Sequence, residues 1–264
     1  MENNNLLDAL KIMEKLTIIY NKTQEWELIK LLGLGWLLLG RWNEGLTYWN
    51  KAIELYPEKT MAWINRGVAL RNLGFSNEAL NSFNKSIEIE TNNILAWFER
   101  GVTLDILERY DEALVSYDKA IELNSHDQLG KNAISVTPID QTLHSPESQQ
   151  VQRNVYNPTA LLWHNRGSVL ANLKRHNEAL DSYDKALEIR PDYVQAWNNR
   201  GRTLAFIGEY NEALISFNKA IELNPNDATA WHYRGGVQGL IGNYTEALVS
   251  YNKMIDIGIN NALA

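Results

Sequence analysis

Apolar residues recur along this chain at helical spacing, and the arrangement repeats every 34 residues. Counting positions from residue 26, positions 4, 8 and 11 of each unit fall on one stripe of a first helix. Position 4 is Trp63, Trp97, Trp163, Trp197 and Trp231 in five units. Position 8 is glycine in all six (Gly33, Gly67, Gly101, Gly167, Gly201, Gly235), and position 20 is small (Gly45, Ala79, Ala113, Ala179, Ala213, Ala247). Position 24 is always aromatic: Trp49, Phe83, Tyr117, Tyr183, Phe217 and Tyr251. Three of the four intervals between successive tryptophans at position 4 are 34 residues, and the fourth, from Trp97 to Trp163, is 66. The units are therefore 26–59, 60–93, 94–127, 160–193, 194–227 and 228–261.

The pattern predicts two helices per unit. Glycine at 8 and a small residue at 20 let the two approach closely, and the aromatic at 24 fills the space beside them. Position 18 (Asn43, Asn77, Asp111, Asn177, Asn211, Thr245) carries good N-cap residues where the second helix should begin. Glu follows at position 19, near the positive end of that helix. Pro57, Pro191 and Pro225 at position 32 cannot continue a helix and should end it. A single pair cannot bury its own apolar face, so neighbouring pairs must stack into one continuous core.

Outside the units, residues 1–25 hold Leu6, Leu10, Met13, Leu16 and Ile19 at helical spacing, which predicts an additional amphipathic helix over Leu6 to Tyr20. The first helix of unit one is apolar all round, with Leu34, Leu37 and Leu38 on its outward side, and such a helix is normally covered. The N-terminal helix is the expected cover. Residues 128–159 leave the register and carry Pro138, Pro146 and Pro158 among Ser, Thr, Gln and Asn. They read as a long polar loop, with a short helix from Ser145-Pro146-Glu147 through Val151 and Val155.

These residues resemble the tetratricopeptide-repeat (TPR) family, whose period is 34 and whose pattern uses the same aromatic, Gly, Ala and Pro positions. The match covers 204 of 264 residues. The resemblance implies an all-α, right-handed α-solenoid of six helix-turn-helix units with an extra N-terminal helix and a long loop between units three and four. The phrases Trp-x-Asn-Arg-Gly and Glu-Ala-Leu-x-Ser-Tyr-Asp-Lys-Ala are similar to those of multi-repeat bacterial, cyanobacterial-type TPR proteins. It also implies a protein-interaction scaffold or assembly factor that binds a peptide or protein on its concave surface. The other role implied is a regulatory subunit or arm of a larger effector, such as a peptidase or signalling complex.

Composition narrows the chemistry. A net charge of −7 and a pI of about 5.3 argue against nucleic acid as partner, since phosphate binding needs clustered Lys and Arg. There is no cysteine for disulfides or thiolate metal sites. The run Leu31 to Leu39 is too short to span a bilayer, and Met1 to Asn5 lack the basic start of a secretory signal, so a cytoplasmic protein without membrane insertion is expected. The Glu residues at 19 serve helix starts, and Lys at 26 pairs with an acid three residues on. His126, His144, His164, His176 and His232 are not spaced as helical metal ligands. No phosphate loop is present, and the 60 residues outside the repeats are too few and too scattered for a catalytic domain. Neither enzymatic activity nor a cofactor or metal is expected.

Position 7 is Arg66, Arg100, Arg166, Arg200 and Arg234 in five units, beside the buried stripe. The stems should pack while the heads form an inter-helix hydrogen-bond ladder. The family's clamp for acidic chaperone tails is incomplete: Lys30 and Asn65 match, but Leu34, Leu95 and Glu99 replace the Asn, Lys and Arg it needs. The concave positions opposite the stripe instead carry His164, Asn165, Ser168 and Asn172, then Asn198, Asn199, Arg202 and Phe206, then His232 and Tyr233, with Asn65 in the second unit. Asn side chains can bond a peptide backbone as donor and acceptor, and these residues are the expected contact set. The terminal repeats would serve any homo-oligomer.

Overall fold

The computed structural model of the protein describes residues 2–126 and 158–263. Thirteen helices and no strand are found among them. They belong to two compact units divided between Val155 and Tyr156, called here the N-terminal and C-terminal stacks. The N-terminal stack contains α1 (Glu2–Thr23) and the pairs α2 (Trp26–Leu38) with α3 (Trp42–Leu55), α4 (Thr60–Asn72) with α5 (Ser76–Ile89), and α6 (Ile94–Ile106) with α7 (Tyr110–His126). The C-terminal stack pairs α8 (Pro158–Asn172) with α9 (His176–Ile189), α10 (Val194–Phe206) with α11 (Tyr210–Leu223), and α12 (Ala228–Leu240) with α13 (Tyr244–Leu263). Within each stack every second helix packs on the first helix of the next pair, the solenoid arrangement. The loop expected over 128–159 lies outside the described residues except for Pro158 and Thr159. These open α8 two residues ahead of the repeat boundary at Ala160, with proline in the first turn, where its missing N–H loses no bond.

The Gly–aromatic pairing is the joint inside each helix pair. A Cβ built on Gly67 would lie 2.5 Å from the Phe83 ring, and one on Gly201 2.7 Å from the Phe217 ring. Phe83, Tyr117 and Phe217 are fully buried there. The tryptophans at position 4 pin the pairs together. The indole N–H groups of Trp63, Trp197 and Trp231 donate to the carbonyls of Pro57, Pro191 and Pro225 at 2.8–2.9 Å, and Trp97 donates to Thr91. Each of these tryptophans thus ties its own first helix to the turn that precedes it, whether proline or threonine supplies the carbonyl.

Position 18 is not the N-cap of the second helices. The first helices end in a reversal at position 15, where Gly40, Gly74, Gly208 and Gly242 take positive φ and Glu108 and Lys174 do the same. The following N–H then bonds five residues back, as Phe75 does to Leu70 and Arg109 to Leu104, both at 2.9 Å. That closure places position 16 at the cap, and position 18 becomes the second helical residue. Arg41, Phe75, Arg175 and Glu209 occupy the cap with no side-chain bond to the helix. Glu at position 19 pairs with the guanidinium at 16 wherever Arg stands there: Arg41–Glu44, Arg109–Glu112 and Arg175–Glu178. The Arg175 bonds hold the Glu178 carboxyl below its usual range. Two first helices do have side-chain caps, from Asn93 to the Ala96 N–H and from Asp227 to those of Thr229 and Ala230.

α1 packs against α2, with Met13 and Tyr20 buried in the same cluster as Ile29, Leu32 and Trp49. Met13 lies over Gly35, where a Cβ would sit 2.7 Å from its sulfur. Leu37 is buried, whereas Leu31 and Leu38 stay exposed, so α1 covers only part of the apolar circumference of α2.

Candidate functional site

The first helices of each stack present one row of polar and aromatic side chains, and the two stacks treat that row differently. In the N-terminal stack the charges satisfy one another. Arg71 on α4 pairs with Glu99 on α6 at 2.5 Å, both side chains being about nine-tenths buried, and Thr103 adjoins them. Burial raises the Asp105 carboxyl above its ordinary value. Asn65 is buried and donates to the Met61 carbonyl at 2.9 Å, which takes it out of the expected contact set.

In the C-terminal stack a network of hydrogen bonds links α8 to α10, and a cation–π contact carries it on to α12. His164 Nε2 lies 2.9 Å from Asn199 Nδ2. Its Nδ1 lies 3.1 Å from the Asn165 amide oxygen and 3.2 Å from the Tyr193 hydroxyl. Asn199 has an N–H to give, so Nε2 is the acceptor and the ring proton sits on Nδ1, the neutral tautomer. Desolvation lowers the His164 pKa from 6.5 to about 4; the Asn165 bond opposes that shift and the Arg190 charge adds to it. Arg202 donates to the Asn199 amide oxygen at 3.4 Å and lies over the Tyr233 ring, 5.1 Å from its centroid. Tyr233 in turn stacks on the buried Phe217, their centroids 5.9 Å apart.

The expected contact residues therefore separate into two groups. His164, Asn165 and Asn199 are partly buried and bonded to one another, so these polar atoms already have partners within the stack. Asn198 is buried and donates to Asp227 at 2.6 Å, because position 5 turns toward the cap of the next pair. Asn172, Arg202, Phe206 and His232 are exposed; Ser168 and Tyr233 are partly so. Phe206 is 71% exposed and rests one edge on His176, at 4.6 Å between ring centroids. His176 and Tyr193 were not among the expected residues. Their positions, 17 and 34, lie beyond the first-helix stripe, and repeat numbering alone carries no signal for them.

Four of the five arginines of position 7 form the expected ladder; the buried Nε of Arg234 finds no hydrogen-bond partner among the described residues. Arg66, Arg100, Arg166 and Arg200 each donate to a serine of their own second helix: Ser82, Ser116, Ser182 and Ser216. Arg66, Arg100 and Arg200 also reach back to Asn50, Asn84 and Asp184 of the preceding pair. Among the described residues no group of His, Asp and Glu is placed to hold a metal ion, and no helix is long and apolar enough to cross a membrane.

Tetratricopeptide-repeat family models match residues 62–93, 94–127, 158–226 and 216–249, together well over half of the chain. No curated protein matches the sequence. Several solved structures share the fold. YrrB, described as a TPR protein with an unusual peptide-binding site, has a TM-score of 0.56 at 24% identity, covering 79% of this chain and 91% of its own. MamA from Desulfovibrio magneticus RS-1 has a TM-score of 0.61 at 16% identity, covering 76% and 96%. PilW, a type IV pilus biogenesis factor, has a TM-score of 0.67 at 16% identity, covering 85% and 90%. At these identities the likeness is one of fold, but the repeat matches, the Gly–aromatic joints and the stacked helix pairs agree: the chain belongs to the tetratricopeptide-repeat family.

Proposed function

We propose that this protein is a non-catalytic scaffold or assembly factor that holds an extended peptide or protein segment on the first-helix face of its C-terminal stack. The observation that carries the reading is the pair Arg202 and Phe206, one turn apart on α10 and both exposed. Arg202 is aligned by Asn199 and Tyr233, and no carboxylate among the described residues pairs with it. The matching face of the N-terminal stack is closed by the Arg71–Glu99 pair. An oriented, unneutralised guanidinium beside a bare aromatic ring suits an acidic group followed by an apolar side chain. Asn172, Ser168 and His232 are within the same row to meet the backbone. That YrrB is described by a peptide-binding site and PilW as a biogenesis factor agrees with a holding role.

The test is to recover partners from native lysate on the parent protein and on Arg202→Glu and Phe206→Ala variants, then to measure the recovered partner directly. Arg202→Glu should weaken binding by about tenfold or more, with the parent's affinity falling as salt rises. A partner that binds all three proteins alike would remove the first-helix face as its site.

A second reading, an arm of a larger assembly, is favoured by the far end of the C-terminal stack. Leu248 is 63% exposed, whereas its equivalent Leu80, beneath the pair that follows it, is 6% exposed. Tyr244 and Ile255 are bare on the same helix. A further helical element or a second copy of the chain would cover this face. Leu248→Glu distinguishes the readings: it should disrupt the assembly or oligomer and leave peptide binding at Arg202 unchanged.

A further inference from the structure

Every position-7 arginine needs partners for its head group, and in the C-terminal stack Arg200 finds a full counter-charge in Asp184 at 2.6 Å. Arg100, in the N-terminal stack, does not. Its Nε donates to the neutral amide of Asn84 at 2.9 Å and its Nη1 to the Ser116 hydroxyl at 2.5 Å. Glu112 is 3.9 Å from Arg100 Nη2, but Arg109 already grips it with two bonds of 2.7 Å. Two guanidinium groups thus share one carboxylate, leaving a local excess of one positive charge. Burial pushes the Arg100 pKa down; Glu112 offsets part of that, and Arg109 opposes Glu112.

The two guanidinium groups line a cavity of about 290 Å³ between α5, α6 and the start of α7. Asn77, Asn81 and Asn84 form its other polar wall, spaced four and three residues apart on one face of α5. The side chains of Asn77 and Asn81 make no hydrogen bond among the described residues. The other junctions lack this combination. Thr47 and Phe75 stand at the equivalents of Asn81 and Arg109 one pair earlier, Asp181 and Glu209 stand there in the C-terminal stack, and Ile215 and Asn243 follow.

We propose that this cavity is a carboxylate-binding subsite for an acidic side chain of a peptide. The carboxylate sits between Arg100 and Arg109, and the neighbouring peptide groups lie against the free amides of Asn77 and Asn81. A carboxylate fits better than a phosphate dianion, because the excess charge is one and Glu112 already stands beside both guanidinium groups. The site is on the second-helix side of the N-terminal stack and stands independently of the first-helix reading above.

The probe is N-acetylglutamic acid N-methylamide, titrated into the full chain and followed by ¹⁵N resonances of the Arg100 Nε–H and the Asn81 and Asn84 side-chain amides. Saturable shifts with a Kd of about a millimolar are expected, typical of a single solvent-facing ion pair with amide support. The neutral glutamine analogue should produce no such response. Asn84→Asp supplies the carboxylate that Asp184 gives Arg200, so this variant should stay folded and bind the probe at least about tenfold more weakly. No saturation by about 50 mM, an equal response to the glutamine analogue, or undiminished binding by a folded Asn84→Asp variant would overturn the proposal. Tighter binding of inorganic phosphate than of the glutamate probe would overturn the choice of carboxylate.

Discussion

Asn199 Nδ2 lies 2.9 Å from His164 Nε2, a bond from α10 to α8 that requires the imidazole to be an acceptor. Protonating Nε2 would set two donors against each other, and the Arg202 bond to the Asn199 oxygen resists a flip of the amide. The His164 pKa of about 4 in the folded chain lies below its ordinary 6.5, so the unfolded chain binds the extra proton. Stability is therefore complete above about pH 6.5 and falls as pH drops toward 4. His164 keeps some solvent contact, so the loss from this group should be about 1–3 kcal/mol. Urea unfolding of the parent and of His164→Gln across this range should show a shallower acid decline in the variant.

Gly201 has no room for a side chain, since its Cβ would meet the Phe217 ring at 2.7 Å. Gly201→Val should lower stability by about 1–3 kcal/mol by forcing ring and helix apart. Adding Phe217→Leu should recover part of that loss, because the clash is with this ring. A double-mutant cycle in thermal or urea unfolding measures the coupling, and additive losses would place the strain elsewhere.

Trp197 donates its indole N–H to the Pro191 carbonyl at 2.9 Å, tying α10 to the turn after α9. Trp197→Phe keeps most of the packing but removes the donor, and should cost about 1 kcal/mol. Hydrogen exchange should rise first in 190–197 if the bond anchors that turn.

Removal of residues 1–24 strips α1 from α2 and bares the surface beneath Met13 and Tyr20, including Leu32. The truncated chain should aggregate or lose helicity in its first pair. Light scattering and circular dichroism at several protein concentrations check this, and a stable monomer with undiminished helicity would show that α1 is dispensable as a cover.

Much of the architecture was legible because a repeat exposes its own rules. Glycine facing an aromatic six times can mean only a close helix joint, and the structure places the Phe83 ring 2.5 Å from where a Gly67 Cβ would be. The arginines of position 7 were legible as a ladder for the same reason, since four of the five are met by a serine at one offset, from Ser82 to Ser216. The helix starts were misread. Position 18 offers good caps, but the five-residue closure between Phe75 and Leu70 moves the cap two residues earlier, to position 16. A local cap preference of about 1 kcal/mol yields to that backbone geometry.

The sequence by itself determined the period, the helix pairing, the small-against-aromatic core and the face on which Asn165, Asn199, Arg202 and Phe206 lie. These follow from spacing along one helix, which neighbours in sequence dictate. Only the tertiary structure decided which of those polar groups are already satisfied. Asn198 is spent on Asp227 and Asn199 on His164, while Arg202 and Phe206 remain outward. The same holds for Arg100, which meets an amide where Arg200 meets a carboxylate and so borders a cavity with positive charge to spare. Hydrogen bonding is settled within about 3 Å, and the partners are far apart in sequence, mostly in different repeats, brought to that distance only when the helix pairs stack.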